Sequence, residues 1–154
     1  MSTVMGLLQS SSSISSIAGQ SHRRISMKVS IEHIAIYTKD LERLKAFYVK
    51  YFCAKSNQKY QNKSGFSSYF LKFPTGARLE LMTHTELTDG EMKERAVGIS
   101  HIAFSVNSKG DVDALTERIV RDCYTLLSPP RNTGDGYYES CIADPDGNRI
   151  EITI

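Results

Sequence analysis

The segment IEHIAIYTKD (31–40) returns as ISHIAFSVNS (99–108), and PTGARLEL (74–81) returns as PDGNRIEI (145–152). In the first pair Ile, His, Ile and Ala coincide; in the second Pro, Gly, Arg and Glu coincide. The spacing also agrees, since Glu80 follows His33 by 47 residues and Glu151 follows His101 by 50. Two landmarks in the same order at nearly the same separation mark an internal duplication. Each copy opens on a strand, with Ile34 and Ile36, or Ile102, Phe104 and Val106, alternating with other residues. A helix follows. Asp40 is placed to cap the first, where Leu41, Leu44, Tyr48 and Tyr51 recur at helical spacing. Asp111 or Ser108 can cap the second, with Val112, Leu115, Ile119 and Cys123 as its stripe. A short strand and a hairpin complete each copy, turning through Pro74-Thr75-Gly76 and Pro145-Asp146-Gly147. The sequence therefore predicts an α+β domain of two tandem β-α-β-β-β modules, about 28–84 and 98–154, around a linker near 85–97.

Outside the repeat lies a Ser-rich leader, residues 1–27, with two arginines and no acidic residue. It reads as a poorly ordered tail. Its composition also fits an organellar transit peptide, although an upstream start, with Met27 opening the domain proper, is the plainer reading. The whole chain is 154 residues with a net charge of +2; from Lys28 onward 17 basic residues face 17 acidic ones. That balance argues against a nucleic-acid partner. No apolar run approaches the roughly 20 residues that span a bilayer, so no membrane partner is expected. Cys53, Cys123 and Cys141 are far apart and odd in number, which points to a reducing, cytoplasmic setting, or an organelle if the leader is a transit peptide.

Alternation along the strands assigns faces. Leu79 and Leu81 face the core, which leaves Glu80 on the other side with Arg78 and Met82; Ile150 and Ile152 do the same for Glu151. His33 and His101 also oppose the apolar residues of their strands. Taken singly, each His reads as a surface residue and each Glu as a solvated one. The repetition shifts the reading: two nitrogens and two carboxylates, if brought to one cavity, make a ligand set suited to a borderline divalent ion such as Zn, Ni, Fe or Mn. His84 shares the face of Glu80, whereas His22 lies in the leader. Tyr138, Arg131 and Phe70 are further pocket candidates that the sequence does not orient.

The paired modules, with GISHIAFSV and DPDGNRIEI in the second, resemble the vicinal oxygen chelate superfamily over residues 28–154. That resemblance implies a cupped eight-stranded sheet around one divalent metal per site, often at a homodimer interface. The set His33, Glu80, His101 and Glu151 matches the pattern of the bacterial-type glyoxalase I members. It implies a lactoylglutathione lyase-like reaction, in which a Lewis-acidic metal engages two adjacent oxygens of a small substrate. Glu151 would shuttle the proton between carbons, with Glu80 as its partner. Tyr37 and His84 stand where those members carry an Arg and an Asn that help hold glutathione, so both become substrate-binding candidates in a remodelled pocket. The alternative is a non-catalytic small-ligand-binding or antibiotic-resistance protein, like the bleomycin-sequestering members, which lack the metal set.

Overall fold

The computed structural model describes residues 28–90 and 97–154; the leader 1–27 and part of the linker lie outside them. The first module runs β1 (His33–Tyr37), α1 (Leu41–Tyr51), β2 (Lys55–Ser56), β3 (Tyr60–Gln61), β4 (Phe66–Lys72) and β5 (Arg78–His84). The second runs β6 (Ile102–Ser105), α2 (Lys109–Arg121), β7 (Leu126–Asn132), β8 (Tyr138–Ala143) and β9 (Arg149–Thr153). In each, the first strand pairs in parallel with the last, and the last is antiparallel to its hairpin partner. The duplicated β-α-β-β-β order thus holds, with β3 added in the first copy as a short strand on β4.

Within one chain the modules form two sheets, not one of eight strands. Sheet order is β1-β5-β4-β2 in the first and β6-β9-β8-β7 in the second. Among the described residues β1 and β6 are therefore each paired on one side only. The outer edge β7 carries Pro129 and Pro130 and irregular register, devices that discourage further pairing. The inner edges β1 and β6 carry no proline, and their approaches leave Ile31 and Ile99 exposed.

Helix α1 starts where expected, with the Asp40 side chain accepting from the Arg43 N–H at 3.0 Å. Its apolar stripe is buried as predicted, widened by Phe47. Ser108, not Asp111, caps α2, accepting from the Asp111 N–H. The predicted α2 stripe needs correction. Val112 and Ile119 are buried, but Leu115 is only partly covered and Thr116 takes the fully inward place. The Thr116 hydroxyl can go there because it donates to the Val112 carbonyl and shares a 2.6 Å hydrogen bond with Ser140. Cys123 is not on the helix. It stands just past the C-cap Asp122 with φ 68°, and Cys53 stands just past the C-cap Phe52 with φ 55°. Both helices end through a left-handed residue, a common termination normally given to Gly; here the repeat uses Cys twice.

One core cluster joins the modules. Phe47, Tyr51 and Phe52 of the first pack with Tyr124 and Phe104 of the second. Tyr48 donates its hydroxyl to Asp144 at 2.9 Å. Asp144, 4% exposed, also accepts from the backbone N–H groups of Asp146 and Asn148 and from the Asn148 amide. Burial pushes the Asp144 carboxyl up, and these donors oppose the shift. The Asp144-Pro145-Asp146-Gly147 turn is thus both a hairpin, with Gly147 at φ 87°, and the socket for a side chain of the other module.

Candidate metal centre

Because the apolar faces of both sheets turn toward the shared core, the opposite faces are left open, and these carry the predicted ligands. In the first module, register sets His33 beside Arg78, and Ala35 beside Glu80, which in turn faces Phe70. His33 Nε2 lies 3.8 Å from Glu80 Oε2. In the second, Ala103 aligns with Glu151 and Glu151 with Cys141, and His101 Nε2 lies 3.4 Å from Glu151 Oε2. The imidazoles are about two-fifths open to solvent, whereas the two carboxylates are largely covered.

The structure thus assembles two His–Glu pairs and keeps them apart. Among the described residues no three His, Cys, Asp or Glu side chains group closely enough to hold an ion. The common cavity expected for all four does not form inside one chain, since the inward faces of the modules are taken up by the core. The donor chemistry still fits a borderline divalent metal. Two ligands each about 2.0–2.1 Å from one ion stand roughly 3–3.4 Å apart at tetrahedral or octahedral angles, close to the observed separations. In both pairs Nδ1 is turned away, to Glu32 at 2.5 Å and to Ser100 at 3.3 Å, so Nε2 is the nitrogen beside the carboxylate.

The surroundings differ. Around the first pair, Arg78 Nε donates to Glu32 at 2.8 Å and its guanidinium lies over the Phe70 ring at 4.2 Å. The bond from His33 and the Arg78 charge hold the Glu32 carboxyl below its usual range. Around the second, burial and the nearby Glu139 carboxylate push Glu151 up, against the pull of His101. Arg131 pairs with Glu139 at 3.1 Å. Burial also raises the Cys141 thiol.

Tyr37 and His84 both share the face of Glu80, Tyr37 across from Met82 and His84 across from Phe66. Tyr37 is 54% exposed. His84 Nδ1 accepts from the Glu86 N–H at 3.1 Å, which fixes Nε2 as its donor. Of the other candidates, Phe70 and Arg131 lie on the open faces, but Tyr138 does not. It packs toward the core and donates to Asp113 on α2 at 2.8 Å. Glu32 and Glu139 were missed. Alternation along β8 could have exposed Glu139, two residues from Cys141; Glu32 precedes its strand and gave no periodic signal. A groove of about 850 Å³ opens between the modules, lined by Phe52, Phe73, Phe104 and Arg118 among others. No His or Glu lines it, although Arg78, the register neighbour of His33, and Ala103, that of Glu151, reach its wall.

Comparison with known proteins agrees with this architecture. The uncharacterized protein YqjT of Bacillus subtilis (strain 168) is 28% identical over 125 residues, 79% of this chain and 96% of its own. The structure of a glyoxylase/bleomycin resistance protein/dioxygenase domain from Frankia sp. EAN1pec superimposes with a TM-score of 0.72 at 20% identity, over 83% of this chain and 98% of that one. Glyoxalase I from Zea mays matches with a TM-score of 0.68 at 21% identity, over 80% of this chain but 44% of that longer one. The family model for the Glyoxalase/Bleomycin resistance protein/Dioxygenase superfamily covers residues 30–152. With its duplicated module and open-faced sheets accounted for, the chain belongs to that superfamily.

Proposed function

We propose that two copies of the chain associate through β1 and β6, and that the His33–Glu80 pair of one copy and the His101–Glu151 pair of the other hold one divalent metal, Zn or Ni before Fe, Mn or Co. The observation that carries this reading is the matched pair of half-sites, each with one imidazole Nε2 and one mostly covered carboxylate within 4 Å. Two ligands are too few to retain such an ion, and four suffice. Joining the inner edges would complete a sheet of the cupped kind and cover the exposed Ile31 and Ile99.

The activity this site supports best is a glyoxalase I-like isomerisation of a small substrate with two adjacent oxygens. When bound, the ion would supply Lewis-acid polarisation of those oxygens. Glu151 takes the proton from the carbon beside the carbonyl and returns it to the neighbouring carbon; Glu80, its counterpart, faces it from the other half. Tyr37 and the Nε2–H of His84 offer the polar contacts that orient the rest of the substrate. The three cysteines are free thiols, which supports a reducing cytoplasmic setting. No described helix is long and apolar enough to cross a membrane.

The test is metal content with turnover. The expected result is one ion per half-site pair, two ions per dimer, and conversion of the methylglyoxal–thiol hemithioacetal, with Glu151→Gln folded and slower by roughly 100- to 10,000-fold. Absence of stoichiometric metal in protein offered these ions overturns the metal reading. Metal uptake without turnover of any hemithioacetal leaves the small-ligand-binding alternative in its place.

A further inference from the structure

The two half-sites hold their histidines by different means, and the difference assigns a task to Glu32. We propose that Glu32, clamped by Arg78, is the positioning residue of His33: it fixes the imidazole as the Nδ1–H tautomer, so that the Nε2 lone pair faces Glu80 before any ion arrives. This inference rests on the reading of His33 as a metal ligand.

An imidazole offers a lone pair on only one nitrogen when neutral, and which one is set by the hydrogen bond made by the other. His33 Nδ1 lies 2.5 Å from Glu32 Oε2. A carboxylate only accepts, so the Nδ1 proton stays on the ring and Nε2 is left free to ligate. A carboxylate as exposed as Glu32 would ordinarily wander among rotamers. Arg78 prevents this by engaging the other oxygen, Oε1, through both Nε and a terminal nitrogen. Each oxygen thus has its own partner. Arg78 is held in turn, because its guanidinium covers the Phe70 ring, and that ring meets His33 edge-on with centroids 5.4 Å apart. Phe70, Arg78, Glu32 and His33 close into a loop, built on the register that sets His33 beside Arg78 and Phe70 beside Glu80.

The second module has no such device. Ser100 stands where Glu32 stands, 3.3 Å from His101 Nδ1. A hydroxyl can donate as readily as accept, so it tolerates either tautomer. The first half-site is therefore preset for a metal and the second adapts to it.

The experiment reads imidazole nitrogen shifts by NMR in the metal-free protein with the rings neutral, together with Zn(II) or Ni(II) affinity by chelator competition. The expected result is His33 as the Nδ1–H form in the wild type and shifted toward the Nε2–H form in Glu32→Ala, with His101 unchanged in both. Affinity should fall roughly 10- to 100-fold in Glu32→Ala, less in Glu32→Gln, whose carbonyl can still accept, and by under about threefold in Ser100→Ala. An Nε2–H wild-type His33, or a tautomer indifferent to Glu32→Ala, overturns the proposal. So does full affinity in Glu32→Ala when the wild type binds. A wild type that binds no ion removes the metal reading alone, and the nitrogen shifts then decide the role of Glu32.

Discussion

Helices α1 and α2 hold the same place in their modules, each following the first strand and preceding the strand that edges the sheet, β2 of two residues in the first and β7 of seven in the second. Yet α1 buries Leu41, Leu44, Phe47, Tyr48 and Tyr51, whereas α2 buries only Val112, Thr116 and Ile119. The first serves two sheets, its own and the edge of the second module; the second serves mainly one. The open faces diverge less in ligands than in setting: Glu80 borders Phe70 and the Arg78–Glu32 clamp, while Glu151 borders Glu139 and Cys141. The duplication has kept the pair that would meet a substrate and has changed what surrounds it.

The sharpest way to break that contrast is to empty the core at each helix. Phe47→Ala removes a ring touching Tyr48, Tyr51, Phe52 and Tyr124 and should cost about 3–5 kcal/mol. Ile119→Ala, equally buried but losing a smaller aliphatic side chain, should cost about 2–4 kcal/mol. Chemical denaturation of both variants measures the difference, and equal losses would remove the claim that α1 is the shared element. Tyr48→Phe is a finer probe of the junction. It takes one donor from the buried Asp144 carboxyl and should cost about 1–3 kcal/mol without disturbing either His–Glu pair. Retained metal uptake with a lowered melting temperature would sharpen the separation between junction and site.

The smallest effect is electrostatic. Bonds from Lys45 and then Tyr69 lower the Glu42 carboxyl to about 2. A carboxyl lowered on folding stabilises the protein above its unfolded pKa, near 4.5, and loses that contribution as pH falls toward 2. Wild type should therefore exceed Glu42→Gln slightly at pH 6, with the gap closing between about pH 4.5 and 2; the pair is solvent-exposed, so the gain is small. A gap independent of pH would assign it to packing on Tyr69 instead.

Much of this was legible in the chain because it is local. Period-two alternation placed Glu80 and Glu151 opposite Leu79, Leu81, Ile150 and Ile152, and period 3.6 found the α1 stripe. Asp40 and the two Pro-x-Gly turns spoke for themselves. What escaped depends on contacts distant in sequence. Thr116 is inward because Ser140 meets it, and a hydroxyl on a stripe otherwise reads as outward. Cys123 reads as a helical apolar residue until its positive φ is seen. The separation of the two pairs is a matter of how modules stack, to which periodicity is blind. Glu32 is invisible on both counts: it precedes the strand and so has no place in its repeat, and the Arg78 that clamps it lies 46 residues away.

The Tyr48–Asp144 bond has a consequence for the order in which the molecule is made. Synthesis runs from the N-terminus, so every strand of the first module exists before β6 begins. The carboxyl that completes Tyr48 arrives 96 residues after it, in the turn before the last strand. The side of α1 that meets the second module therefore stays without its partners while the first module is made, and the Tyr48 hydroxyl waits longest, until Asp144 is added. Apolar and aromatic surface left open during synthesis is what makes an incomplete chain prone to aggregate, a hazard the finished fold no longer carries.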